Sequence, residues 1–246
     1  MARFFLPQER IEGRRGAVLG DELAHLRKVL RLEPGDRFII FDDTGWEHEA
    51  VVRSFSAHRG DIDILRSYQA ERESALQITL ALGLTKGEKM DLVVEKATEL
   101  GVSNIVPFIS AYTVPKLDDR KAQARAERWK KIAVSAAKQS GRTRLPKIDM
   151  LCEFREFVRQ PWDNVLKLLF WEREGQQTLK QVHDRQPDAR AVLLAIGPEG
   201  GFSLEEADMA HLHGFTSVQL GPRILRAETA AVAALSLVQF LWGDLA

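Results

Sequence analysis

Ala191-Val192-Leu193-Leu194-Ala195-Ile196-Gly197-Pro198-Glu199-Gly200-Gly201-Phe202-Ser203-Leu204-Glu205-Glu206 is a strand, a loop and a helix start in succession. Residues 191–196 are apolar without alternation, as in a strand buried on both faces. Ser203-Leu204-Glu205-Glu206 is a capping box that opens a helix ending near Gly214. Working outward, the same alternation recurs. Residues 77–84 read as a buried strand and 86–100 as a helix, with Gly101 at its C′ position. Residues 105–109 are a strand, 120–140 a long helix, 164–171 an apolar strand, 218–220 a short strand, and a final helix runs from about Glu228. Strands alternating with helices make this an α/β domain with a mainly parallel sheet.

Toward the N-terminus the pattern changes. Asp21 reads as the N-cap of a helix reaching about Leu32, with Leu23, Leu26, Val29 and Leu30 on one face. Pro34-Gly35-Asp36 signals a turn. Residues 37–41, 46–55 and 62–68 are rich in β-formers, and short strands at this spacing suggest a small barrel. The polar stretch Gln69 to Ser74 lacks a hydrophobic period. It divides the chain into residues 1–70, a small β-barrel domain, and residues 75–246, the α/β domain.

Composition sets outer limits. The chain has 246 residues, 45% hydrophobic and 28% charged, which is ordinary globular usage. The single cysteine, Cys152, precludes an intrachain disulfide and fits a reducing, cytoplasmic setting. The N-terminus meets charge too early for a signal peptide. Its most apolar run, 230–242, is shorter than the roughly 20 residues that span a bilayer. Net charge is zero, but unevenly distributed. From Lys116 to Lys147 eleven Lys/Arg face three acids, a local +8 that suits a phosphate backbone. Arg3, Arg10, Arg14, Arg15, Arg27, Lys28 and Arg31 suggest a second contact surface.

Two loops carry the chemistry. In open α/β sheets ligands bind beyond the carboxyl ends of strands. Gly197-Pro198-Glu199-Gly200-Gly201 follows one strand, and glycines there let a backbone approach a ligand, although a tight turn uses the same residues. Leu220-Gly221-Pro222-Arg223-Ile224-Leu225-Arg226-Ala227-Glu228-Thr229 follows another. Arg226 and Glu228 stand directly before a buried helix, where charges pair with each other or serve a site. No dinucleotide fingerprint or phosphate loop is present. His211 and His213 point to different faces of a helix, and no Cys/His cluster suggests a metal site.

Taken together, these residues resemble the RsmE-type ribosomal RNA methyltransferases of the SPOUT superfamily. The resemblance rests on Arg3-Phe4-Phe5, on His25-Leu26-Arg27-Lys28-Val29-Leu30-Arg31-Leu32 followed by Gly35-Asp36, and on Lys86 to Val102. It continues through Arg128-Trp129, Gln139-Ser140-Gly141-Arg142, Ile196 to Gly201, and Leu220 to Ala230. It implies a PUA-like β-barrel RNA-binding domain over 1–70 and a SPOUT-like trefoil-knot methyltransferase domain over 75–246. It also implies a homodimer with S-adenosylmethionine as cofactor, and methylation of N3 of a uridine in 16S rRNA or the small ribosomal subunit. Cofactor contacts carried over are Ile196, Gly197, Gly200, Gly201, Leu220, Gly221, Ile224, Leu225, Thr229 and Ala230. RNA contacts are Arg3, Arg10, Arg27, Arg31, Arg128, Arg142 and Arg144. Arg226 would stabilise developing negative charge, and Glu228 would accept the imide proton or simply favour the helix start. Lys138 stands where the family commonly has an acid, and Ala227 where it commonly has threonine.

Three other readings remain open on sequence: a non-catalytic RNA-binding assembly factor, a SPOUT enzyme acting at another RNA position, and a small-molecule nucleotide enzyme. The missing nucleotide motifs disfavour the last.

Overall fold

The computed structural model describes residues 1–114, 118–172 and 177–245. They form two compact units, Met1–Glu73 with Ala137–Leu145, and Ser74–Ala136 with Pro146–Ala246.

In the first unit, β1 (Arg3–Phe5), β2 (Ile11–Glu12), β3 (Arg15–Val18), α1 (Gly20–Ala24), β4 (Arg37–Phe41), β5 (Trp46–Phe55) and β6 (Gly60–Gln69) follow in order. The strands make one sheet in the order β1-β4-β5-β6-β3-β2, antiparallel except for the β1–β4 pair. Alternating residues of β4, β5 and β6 (Phe38, Ile40, Ala50, Val52, Ile62, Ile64) bury a core shared with Phe4, Leu6 and Leu26.

The early helix departs from its expected form. Leu19, not Asp21, is its N-cap, without a side-chain bond, and Asp21 lies in the first turn. The α-helix ends at Ala24 and continues as a π-helical turn, His25–Val29. The Leu30 N–H bonds the His25 carbonyl five residues back. That wider turn adds a residue per revolution. Leu23 and Leu26 therefore stay buried, whereas Val29 and Leu30, expected on the same face, are 66% and 38% exposed.

The second unit contains β7 (Gln77–Gly83), α2 (Lys89–Glu99), β8 (Asn104–Ile109) and most of α3 (Asp119–Ser140). Next come β9 (Lys147–Ile148), β10 (Cys152–Glu153), α4 (Phe154–Arg159), β11 (Leu166–Phe170), β12 (Gln177–Thr178) and α5 (Leu179–Arg185). It ends with β13 (Ala191–Ile196), α6 (Leu204–Leu212), β14 (Thr216–Gln219) and α7 (Ala227–Trp242). Every pairing is parallel, in the order β10-β8-β7-β13-β11-β14-β12, with β9 also on β8.

The unbroken apolar run of β13 puts it at the centre, between β7 and β11. Val192, Leu194 and Ile196 enter a core with α2, α5 and α7. Leu193 and Ala195 enter one with α4 and α6 on the other face. The α/β domain with a mainly parallel sheet expected from sequence is therefore observed, with helices on both faces of the sheet. From β14, beyond β11, the chain crosses back over the carboxyl edge, because α7 packs on α2, α5 and β13. Among the described residues, no helix is long and apolar enough to cross a membrane.

Candidate functional site

Phe170 pairs in register with both Ile196 and Val218, and Ile196 with Leu82, so four parallel strands end nearly flush. The chain leaving β13 and the chain leaving β14 both lie at this edge. The 197–201 loop closes on itself, with the Gly201 N–H donating to the Pro198 carbonyl at 2.9 Å. A Cβ on Gly197 would stand 2.9 Å from the Gly201 carbonyl carbon, and one on Gly83 would stand 2.4 Å from Pro198 Cδ. The loop thus lies directly on the end of β7, which leaves no room for a side chain at either position. In the second loop Gly221 has φ +90°, with open space where a Cβ would go. Conformation, not crowding, selects glycine there.

Two cavities open at this edge. One of about 260 Å³ is lined by Phe170 to Glu172, Val218 to Leu225 and Ala230. The other, about 400 Å³, is lined by Lys89, Phe170, Glu172, Ile196 to Glu199, Gly201, Ile224 to Ala227 and Ala230. They share Phe170, Glu172, Ile224, Leu225 and Ala230, so both loops face one continuous hollow. Ile196, Gly197, Gly201, Leu220, Gly221, Ile224, Leu225, Arg226 and Ala230 are on its walls. Gly200, Glu228 and Thr229 are not. Gly200 packs under Tyr112, where a Cβ would come within 2.6 Å of the tyrosine Cβ.

Arg226 is the N-cap of α7 and is exposed. Among the described residues no ion pair joins it to Glu228. Glu228 instead lies 3.8 Å from Lys89 Nζ, and its buried Oε2 accepts no hydrogen bond among the described residues. Lys89 also donates to Glu199 Oε1 at 2.9 Å, and the Lys86 N–H donates to the same oxygen at 3.2 Å. Burial works to raise the Glu199 carboxyl, but the bonds from Lys89 and from backbone N–H groups outweigh it and hold the group below the usual carboxylate value. Lys89, Phe170 and Glu172 were not singled out in the sequence, and Pro198 and Glu199 were read only as members of the first loop. Phe170 and Glu172 follow the same strand-end logic as the two loops, but Lys89 is 110 residues from Glu199 and has no local signal. Burial pushes the Cys152 thiol up to about 11, away from a reactive thiolate.

The arginines expected to meet RNA divide into two groups. Arg10, Arg27, Arg31, Arg128 and Arg144 are exposed. Of these, Arg27 lies over the Phe55 ring, Arg128 pairs with Asp91 at 2.6 Å, and Arg144 donates to the Thr44 carbonyl at 2.8 Å. Arg3 and Arg142 do not occupy the expected open surface. Arg3 pairs with Glu47 at 2.7 Å, and Arg142, 6% exposed, donates to Glu73 Oε2 through Nε at 3.1 Å and a terminal nitrogen at 2.8 Å. Glu73 Oε1 also accepts the N–H groups of Thr143 and Arg144. A carboxylate taking this many donors organises the Gly141–Arg144 loop from within. Lys138, at its unusual position, pairs with Glu22 and stacks over Phe4. Lys116, counted in the basic segment, lies outside the described residues.

The chain is similar to known proteins along nearly its whole length. The family model described as an RNA methyltransferase domain matches residues 72–239, and that of an RNA methyltransferase PUA domain matches 18–65. The ribosomal RNA small subunit methyltransferase E of Bacillus subtilis is 31% identical over 98% of this chain and 96% of its own length. Its Synechocystis counterpart is 34% identical over 89% of this chain and 71% of its own. The crystal structure of the Neisseria gonorrhoeae ribosomal RNA small subunit methyltransferase E bound to S-adenosyl methionine superposes with a TM-score of 0.91. The two share 34% identity, with all of both chains covered. A putative methyltransferase of Legionella pneumophila, in complex with the same cofactor, gives a TM-score of 0.91 at 34% identity, covering 99% of this chain and 98% of that one.

Proposed function

The chain belongs to the RNA methyltransferase family that includes ribosomal RNA small subunit methyltransferase E, and from that premise we propose that it methylates N3 of a uridine in 16S rRNA at the two-loop hollow. It is an S-adenosylmethionine-dependent enzyme of small-subunit rRNA. The observation that carries the site assignment is the meeting of both loops at one hollow, with Arg226 on its wall and the unbonded Glu228 oxygen next to Lys89.

The hollow fits this cofactor. Phe170, Leu220, Ile224 and Leu225 offer apolar surface for a flat base, and the backbone of residues 196–199, 201 and 220–221 offers polar groups at close range. The Glu172 carboxylate lines both cavities, where a cationic ligand gains from it. When bound, the cofactor supplies an activated methyl group on a sulfonium. Ile196, Gly197, Gly201, Leu220, Gly221, Ile224, Leu225 and Ala230 hold it. Gly200 and Thr229 act behind the walls, through the shape of the two loops.

Transfer to the uracil imide needs a proton removed from N3 and charge carried on the neighbouring carbonyl oxygens. Arg226, a permanently charged group at the wall, stabilises that charge. Glu228 accepts the proton, directly or through water. Holding two reactants in line supplies much of the remaining acceleration. The exposed arginines Arg10, Arg27, Arg31, Arg128 and Arg144 grip the RNA backbone, the first three from the PUA-like domain over 1–70 and Arg128 from the methyltransferase domain over 75–246. The enzyme works as a homodimer in the cytoplasm, where its substrate is made.

Single-turnover methylation of small subunits lacking the modification tests the roles. Glu228→Gln is expected to slow the step by about 100-fold, the usual weight of a general base. Arg226→Ala is expected to slow it similarly while cofactor binding persists. A Glu228→Gln enzyme at full rate removes Glu228 as the acceptor.

A further inference from the structure

We infer that Lys89 is a positioning residue for methyl transfer: it ties the cofactor loop at Glu199 to Glu228, so that loop closure and placement of the proton acceptor are one event. This rests on the reading of Glu228 as that acceptor.

Three observations carry it. Lys89 Nζ stands 2.9 Å from Glu199 Oε1 and 3.8 Å from Glu228 Oε2, so one ammonium bridges carboxylates from two chain segments. Glu228 Oε2 is buried with no hydrogen bond among the described residues, and a buried carboxylate oxygen without a donor is costly. The Lys89 ammonium has three donors, of which Glu199 takes one, so it has capacity for the second acid. Finally, Lys89 is the first residue of α2. A cation at a helix N-terminus opposes the macrodipole. A locally unfavourable choice beside two acids and on the cavity wall marks a residue kept for the site.

The bridge also explains how Glu228 serves a hollow it does not line. Lys89 lines it, and the two helices that begin at Lys89 and Ala227 pack on each other. Fixing the ammonium to the closed loop fixes the carboxylate behind it.

The test is a double-mutant cycle in single turnover at saturating S-adenosylmethionine, with cofactor affinity measured by calorimetry. Lys89→Met is expected to lose about tenfold in rate and to weaken cofactor binding, and Lys89→Arg to restore most of the rate. In a Glu228→Gln background the same Lys89→Met change is expected to cost less than about twofold, because coupled neighbours are not additive. Glu199→Gln is expected to raise KM for the cofactor and to lower kcat as well, because it removes the bond that fixes the Lys89 ammonium beside Glu228. Lys89→Gln takes the place of Lys89→Met if the latter does not fold. An equal rate loss in both backgrounds, or none in either, overturns the inference while Glu228 remains the acceptor. Glu228→Gln at wild-type rate is a different failure, which removes the acceptor itself.

Discussion

Glu199 is held ionised by the Lys89 ammonium and the Lys86 N–H, with its carboxyl below the usual range. A depressed folded-state value means that its stabilisation is complete above the ordinary carboxylate value of 4.5 and is lost as pH falls through the lowered one. Thermal unfolding of the wild type and Glu199→Gln is therefore expected to differ at pH 6 and to converge toward pH 3.5. A constant gap across that range contradicts the latch. Glu73 makes a second residue-scale case. Its carboxylate satisfies the buried Arg142 and the backbone of Thr143 and Arg144. Removing one partner of a buried pair leaves the other uncompensated, so Glu73→Ala is expected to cost about 3 kcal/mol in urea unfolding. Arg142 shows the limit of reading a motif by charge: its setting beside Gly141 and Arg144 suggests a phosphate grip, yet its charge is met by Glu73, 69 positions away. No local pattern encodes such a pair.

At the scale of elements, the buried strands and long helices were legible because periodicity and caps announce them. Residues 191–196 and the Ser203 capping box stand as read, and α7 begins one residue before the expected Glu228. The two- to four-residue strands β1, β2, β3, β9, β10 and β12 escaped because so short a run has no period. Helix α5 was readable in principle, since Thr178 and Gln181 form a capping box. The π-helical turn was not, because a five-residue hydrogen bond leaves no mark in composition and shifts Val29 and Leu30 off the expected face. The second loop supplies a prediction at this scale. Gly221, at φ +90°, has open space for a Cβ but an unfavourable backbone for any L side chain. Gly221→Ala is expected to cost about 1 kcal/mol, felt as roughly a fivefold loss of cofactor affinity. Because the loop is exposed, melting temperature is expected to change little. Unchanged affinity contradicts the placement of this loop on the cofactor.

At the scale of the molecule, a net charge of zero conceals an uneven distribution of charge. A parallel sheet supplies a hollow at its carboxyl edge, and a mainly antiparallel sheet in a separate unit carries exposed arginines. Family resemblance and the full-length matches agree on the reaction class, and the hollow is the address we propose for it in this chain. The most direct test of that account is nucleoside mass spectrometry of 16S rRNA after incubation of unmodified small subunits with the purified protein and S-adenosylmethionine. The account predicts one methyl group per subunit, at N3 of a uridine, accumulating about 100-fold more slowly with Arg226→Ala. A methyl group on a ribose or another base, or an undiminished N3 product from Arg226→Ala, would contradict it.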